Sequence, residues 1–439
     1  MTRTPRLLSL VLSGMLLIPV AATSAAARDA ALGGAAHEPA GEVRSILEKD
    51  EITLDDLFRI AERTSPILAA ARSGLEAGEG RVRQAGLYPN PVLELEVEDA
   101  ALEDLGMRED KVSLKQRVIV SGRRGAAIAA ARAERVAAGH ALERGRREVY
   151  ARVQSLWVEL AHSRSAGEAL DELLGTARRT LEIARERFAA RAVPESHVTK
   201  ALLETYDLEQ SRRLVDRDRT AAAARLAALL GGTRVPFDRL AGGLDARKTL
   251  RNLDDLRRTV IETHPALSAA RARIEAARAA HREARARRLP DIDLFVTYGR
   301  NAALGDEFVE GGVGLPLPLF DRNQGRVAET RSLSERAERE ARAVEEELTA
   351  DLLDAYQSCE TARAQLGVYE EEILPAAERG LAQAQEGYRA GRLPFLDLVD
   401  AQRTLASVRL KALALARDLG VAEARLRELT GFPPFTDTE

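Results

Sequence analysis

Two aspartates, Asp397 and Asp400, stand three residues apart in Phe395-Leu396-Asp397-Leu398-Val399-Asp400-Ala401-Gln402, just after the break Gly391-Arg392-Leu393-Pro394. At that spacing they share a helix face, and Arg403 follows at the same interval. Carboxylates at a helix start suit the positive end of its dipole, and Arg403 offers them a partner. A second charged set, Glu94, Glu96 and Glu98, alternates with Leu93, Leu95 and Val97. On a strand that period sends the carboxylates to one face and the apolar residues to the other. Lys115 and Arg117 follow on the next expected strand, on the face opposite Leu114. They can pair across to the glutamates. If the apolar face meets lipid, the glutamates instead line a lumen and offer a path for cations.

Other chemistry is sparse. The histidines are His37, His140, His162, His197, His264 and His281, and no two stand at i,i+3 or i,i+4, so no helical histidine clip for a metal exists. His264 precedes Pro265 and belongs at a helix start. The single cysteine, Cys359, excludes an intrachain disulfide and a cysteine zinc cluster. Three methionines, two of them Met1 and Met15, cannot build a thioether ladder. There is no P-loop, dinucleotide fingerprint, nucleophile elbow or zincin motif. An enzyme is not expected, nor a cofactor. With 65 basic and 69 acidic residues the net charge is −4, against a nucleic-acid partner.

The elements that position these residues come in two copies. Thr53–Val97 aligns without gaps to Asn252–Val296, with 18 of 45 positions identical, among them Pro66 with Pro265 and Pro91 with Pro290. Farther on, Gly125 matches Gly325, Pro194 matches Pro394 and Gly231 matches Gly431. Each half reads as helix, strand, strand, very long helix, return helix. A helix is expected over 54–86 and over 253–288. Second strands are expected to begin at Val112 and Val313, the latter ending early because Pro316 and Pro318 cannot donate to a ladder. Long helices are expected over 123–190 and 322–390, the second kinked at Pro375. At 1.5 Å per residue each would be roughly 100 Å long, which suits a tube or stalk. They end at Arg191-Ala192-Val193-Pro194 and Gly391-Arg392-Leu393-Pro394, and the return helices stop at the glycines near 231 and 431. Leu398, Leu405, Ala412, Leu419 and Leu426 repeat every seven residues, as do Leu352, Cys359, Leu366 and Ile373; this is coiled-coil spacing, and it makes Cys359 a packing residue.

At the N-terminus, Arg3 and Arg6 precede an apolar run from Leu7 to Val20 and then Ala25-Ala26-Ala27, an export signal with cleavage expected after Ala27. No cysteine follows, so the mature chain is not expected to be lipidated there. The expected organisation is 1–27 signal, 28–52 extension, 53–232 first repeat, 233–251 linker, 252–432 second repeat and 433–439 tail.

Four strands per chain cannot close a barrel or satisfy their own edges in lipid, whereas three chains would give twelve. Here the sequence resembles the TolC-like outer-membrane efflux family. The twofold helix–strand–strand–helix–helix repeat, Ala69-Ala70-Ala71-Arg72 and its twin, and Pro89-Asn90-Pro91 carry the resemblance. The segment Gly314-Leu315-Pro316-Leu317-Pro318-Leu319-Phe320-Asp321-Arg322-Asn323-Gln324-Gly325 is similar to the branch serving cobalt–zinc–cadmium pumps of the RND type. The resemblance implies a mainly α fold with a small β part. It implies a homotrimer whose 12-stranded outer-membrane β-barrel continues as a 12-helix periplasmic α-barrel. It implies a passive exit duct that meets a periplasmic adaptor and an inner-membrane RND transporter, and heavy-metal cations as cargo. A duct for drugs or secreted polypeptides is the neighbouring reading; a periplasmic coiled-coil adaptor or tether is one of another class. The resemblance places Asp397 and Asp400, with Arg403 nearby, at the closed periplasmic end, as rings of three carboxylates. It makes Ala192, Val193, Pro194 and Gly391, Arg392, Leu393, Pro394 the adaptor-docking tips. Relatives often have glycine in both breaks; Arg191 in the first therefore predicts a different turn there.

Overall fold

A computed structural model of the chain describes residues 39–98, 109–241, 249–301, 305–431 and 435–436. The expected signal, most of both hairpin loops' tips, residues 242–248 of the inter-repeat linker and most of the C-terminal tail lie outside the described residues. The chain divides into two units, residues 1–50 and 51–439. The first contributes one described helix, α1 (Pro39–Leu47). All that follows concerns the second.

Helix α2 (Leu54–Thr64) opens on a reciprocal cap: the Thr53 hydroxyl accepts from the Asp56 N–H, and the Asp56 carboxylate accepts from the Thr53 N–H. The single helix expected over 54–86 is two. Pro66 lacks an N–H and its ring disfavours helical geometry at Ser65, which is extended at φ −64°, ψ 122°. Helix α3 (Pro66–Ala85) then starts with Pro66 in its first turn. The second half repeats the break with α6 (Leu253–Thr263) and α7 (Pro265–Ala286). His264 sits between them, as its place before Pro265 foretold, and its Nδ1 accepts from the Ala266 N–H.

Strands β1 (Val92–Glu98) and β2 (Glu109–Val118) pair antiparallel, as do β4 (Ile292–Asn301) and β5 (Glu307–Gly314). A short β3 (Thr249–Leu250) pairs separately with β6 (Phe435–Thr436). The hairpins join side by side through β2 and β4, giving one sheet in the order β1-β2-β4-β5. The second strands begin earlier than expected, at Glu109 and Glu307. Their ladder partners, Asn301 and Arg300, extend the pairing beyond the apolar alternation that marked Val112 and Val313. Beyond Gly314 the alternation continues to Leu319 with no strand, because Pro316 and Pro318 cannot donate.

Helix α4 (Arg123–Ala189) is continuous, and α5 (Glu195–Leu229) returns along it. The matching long helix is helical throughout but not α-helical throughout. It runs as α8 (Gln324–Val368), a π-helical turn over Tyr369–Ile373, and α9 (Leu374–Arg389). Pro375 deprives the fourth carbonyl before it of a helical donor, and the wider turn absorbs the shift in register. The first half has Gly175 at the matching position. Helix α10 (Phe395–Thr430) returns and stops at Gly431, φ +81°. The expected seams are the core: Leu398, Leu405, Ala412, Leu419 and Leu426 are buried. From Leu415 onward α10 packs with Leu352, Cys359 and Leu366 in one cluster. Fully burying each such leucine stabilises by roughly 1.5–3 kcal/mol. Burial pushes the Cys359 thiol up to about 12, as befits a packing residue. Ala401 and Val408, three positions on from Leu398 and Leu405, are only half-buried.

Candidate functional site: helical tips and a two-faced sheet

The two breaks have the same geometry, against the expectation from Arg191. Arg191 adopts φ +57° and Gly391 φ +69°. In the first, the Arg191 N–H donates to the Phe188 carbonyl and the Ala192 N–H to that of Arg187, both at 2.8 Å. In the second, Gly391 and Arg392 donate to Tyr388 and Gly387 at 3.1 and 2.8 Å. These paired bonds satisfy the last carbonyls of each helix, and a left-handed residue is what they require. Arginine adopts it at a cost of about 1–2 kcal/mol that glycine avoids. Pro194 and Pro394 then start the return helices at nearly equal angles, ψ 157° and 156°. Ala192, Pro194, Gly391, Arg392, Leu393 and Pro394 are exposed and Val193 is half-buried.

Just inside the tips, aromatic contacts tie the halves together. The Phe395 ring is 2% exposed and stacks on His197 at 4.8 Å, inclined by 13°. It packs with Leu181, Ala184 and Ala201 of the first half. Tyr388 tilts against it at 5.7 Å, accepts a hydrogen bond from Arg187 Nη1 at 2.7 Å and carries the Arg187 guanidinium 4.6 Å above its ring. Sequence reasoning missed this clasp. Tyr388 and Phe395 visibly flank Gly391, but nothing in the spacing says which groups of the other half they meet.

Asp397 and Asp400 are exposed and line a cleft of about 770 Å³ between α9 and α10, with Glu372 on the facing wall. Neither forms an ion pair among the described residues, with Arg403 or with any other base. Arg403 instead acts on Glu204 of α5, countering the upward push of burial on that carboxyl. The three gate candidates therefore lie at one end of α10 with the two acids on the cleft and the arginine toward the first half.

The sheet has one charged and one apolar face. Register puts Glu94, Glu96 and Glu98 beside Ser113, Lys111 and Glu109, and Lys111, Ser113, Lys115 and Arg117 beside Gly299, Thr297, Phe295 and Asp293. Lys115 forms an ion pair with Glu94, as cross-strand pairing predicts. Arg117 does not join the glutamates; it turns to its other neighbour and binds Asp293 through Nε at 2.8 Å and Nη2 at 3.3 Å. Glu98 ends β1, and its side chain lies outside those described. The buried strand residues are Ser113, Thr297 and Gly299, all on the charged face, where the two hydroxyls bond at 2.8 Å. Leu95, Val309 and Val313 on the other face are 67–74% exposed. A sheet placed in water would cover those residues; this one bares them. Among the described residues no cluster of His, Cys, Asp or Glu could hold a metal ion, and no helix is long and apolar enough to cross a membrane.

The model of the family described as outer membrane efflux protein matches residues 57–232 and 256–432, one copy on each half. The cobalt-zinc-cadmium resistance protein CzcC of Cupriavidus metallidurans is 29% identical over 364 residues, covering 83% of this chain and 86% of that protein. The fold is similar to that of a membrane protein from Pseudomonas aeruginosa (TM-score 0.75, 19% identity, 88% of this chain and 94% of that one). It is likewise similar to the outer membrane protein VceC of Vibrio cholerae (TM-score 0.72, 20% identity, 86% and 96%).

Proposed function

The chain belongs to the outer membrane efflux protein family, and on that premise we propose that it is the passive outer-membrane exit duct of a tripartite pump, exporting heavy-metal cations. It conducts its cargo and catalyses no reaction. The observation that carries the reading is the sheet: four strands, bare edges at β1 and β5, an exposed apolar face and a charged face holding the buried positions. Edges of this kind demand a partner strand, and in lipid only a closed barrel leaves none unpaired. Three copies would pair β5 of one with β1 of the next into twelve strands, with the apolar face toward lipid and the charged face toward the lumen. The paired long helices of three copies would continue the duct into the periplasm. The tips at Arg191–Pro194 and Gly391–Pro394 would meet a periplasmic adaptor, and through it an inner-membrane RND transporter.

Cation cargo is supported by the likeness to a cobalt-zinc-cadmium resistance protein and by the charged face. In register that face carries Glu94, Glu96, Glu109, Asp293 and Glu310 against Lys111, Lys115 and Arg117, five acids to three bases before Glu98 is counted. Asp397 and Asp400, in rings of three, would form the resting constriction at the periplasmic end. Deleting the gene should sensitise the host to cobalt, zinc and cadmium, with tolerance restored by the plasmid-borne gene. Unchanged metal tolerance with new sensitivity to drugs would refute the metal assignment and leave a drug duct.

A further inference from the structure

Two phenylalanines on the charged face lie across glycines of the adjoining strand. Phe295 of β4 is opposite Gly312 of β5, and Phe308 of β5 is opposite Gly299 of β4. The arrangement is reciprocal, and each ring covers its partner's backbone. A Cβ added at Gly299 would overlap Cζ of Phe308 and lie 2.6 and 2.7 Å from Cε1 and Cε2. One added at Gly312 would overlap Cζ of Phe295 and lie 2.7 and 3.1 Å from Cε1 and Cε2 of that ring. Real side chains do not approach so closely, so neither ring can keep its place beside anything larger than glycine. Both glycines have ordinary backbone angles, with no positive φ. Backbone freedom therefore does not explain them; the rings do. A ring laid on a glycine restores the cross-strand cover that a missing side chain removes.

We infer that Gly299 and Gly312 set the bore of the barrel by giving Phe295 and Phe308 a place to lie flat against its wall. The inference rests on the barrel reading above, which makes the charged face the lumen. Strand side chains ordinarily stand roughly perpendicular to their sheet. A ring expelled by a Cβ moves to another staggered position. The backbone closes off the space below it, so in the closed barrel a displaced ring would project toward the lumen. Three chains would carry six such rings, and expelling them would narrow the duct with no change in its charge. The pairs are thus determinants of cargo size, separate from the acids that favour cations.

The test is polymer exclusion in planar bilayers, with polyethylene glycols of graded size added on the barrel side, so that the barrel rather than the periplasmic end is sampled. Gly299→Ala and Gly312→Ala should each lower the largest polymer admitted. Gly299→Ala/Phe308→Ala and Gly312→Ala/Phe295→Ala should restore or exceed the wild-type cut-off, because the displaced ring is gone. Should the glycine variants form no channels while their double variants do, the displaced rings obstruct assembly rather than narrow the bore, which overturns the inference. An unchanged cut-off in both single variants overturns the inference, as does loss of channels in single and double variants alike, which would make the glycines a backbone requirement. A wild-type protein that is a stable monomer in detergent would instead overturn the barrel reading and this inference with it.

Discussion

Phe395→Ala removes the group that most firmly holds the second half's tip to the first. The ring is carried at the start of α10, and its surroundings include His197, Leu181, Ala184 and Ala201 of the other half. A buried aromatic covers roughly 150–250 Å², which at ~25 cal/mol/Å² gives about 4–6 kcal/mol; core Phe→Ala truncations cost about 3–5 kcal/mol. If about 3 kcal/mol of this is lost only from the clasped arrangement, the balance between closed and open tips moves roughly a hundredfold toward open. Tyr388→Phe is the informative contrast. It removes one hydrogen bond from an exposed arginine and leaves the ring and its cation contact, a loss of about 1 kcal/mol or less. Burial thus outweighs polar contact here. The assay is single-channel open probability in planar bilayers, with the oligomer of each variant verified in detergent. Phe395→Ala should open the channel far more than Tyr388→Phe. An intact Phe395→Ala oligomer as closed as wild type, or the reverse order of the two variants, would refute the reasoning.

Polyvalent cations added on the periplasmic side should block the wild-type channel, and Asp397→Ala/Asp400→Ala should relieve the block; equal block in both would return the two acids to ordinary helix-start residues. His264 is depressed to about 4, first by burial and then by Arg147, Arg144 and Arg425. The folded state therefore binds its proton later than the unfolded one. Stability from this group is full above pH ~6.5 and falls by about 3 kcal/mol as pH drops toward 4. His264→Asn keeps a capping acceptor without a titrating ring, so denaturation midpoints should depend less on pH over that window; an unaltered dependence would refute the assignment. Arg191→Gly should stabilise the first tip by about 1 kcal/mol and Gly391→Val should destabilise the second by at least as much. Hydrogen exchange at the two turns reads both, and opposite signs would show that the left-handed geometry is not what holds them.

The repeat made most of the fold legible. Pro66 and Pro265, Pro194 and Pro394, and Gly231 and Gly431 kept step across two hundred residues, because backbone restrictions survive where side chains drift. Heptads located the seams, Cys359 included, since knobs-into-holes packing needs only spacing. Legibility failed where a distant partner decides the outcome. Strands β2 and β5 began earlier than their apolar pattern because Asn301 and Arg300 pair with their charged ends. The turn at Arg191 matched its glycine twin because the paired hydrogen bonds at the helix end determine its angles. Arg117 left the glutamates for Asp293 because each strand has two neighbours and periodicity does not choose between them. The clasp of Phe395 and Tyr388 on His197 and Arg187 has no local signature at all.

The central claim is that one chain supplies a third of a closed barrel, and its mass in detergent tests this most directly. Protein extracted from outer membranes and measured by light scattering, with the detergent contribution subtracted, should have three times the mass of the mature chain. A stable, monodisperse monomer, its β1 and β5 edges left bare, would contradict the account.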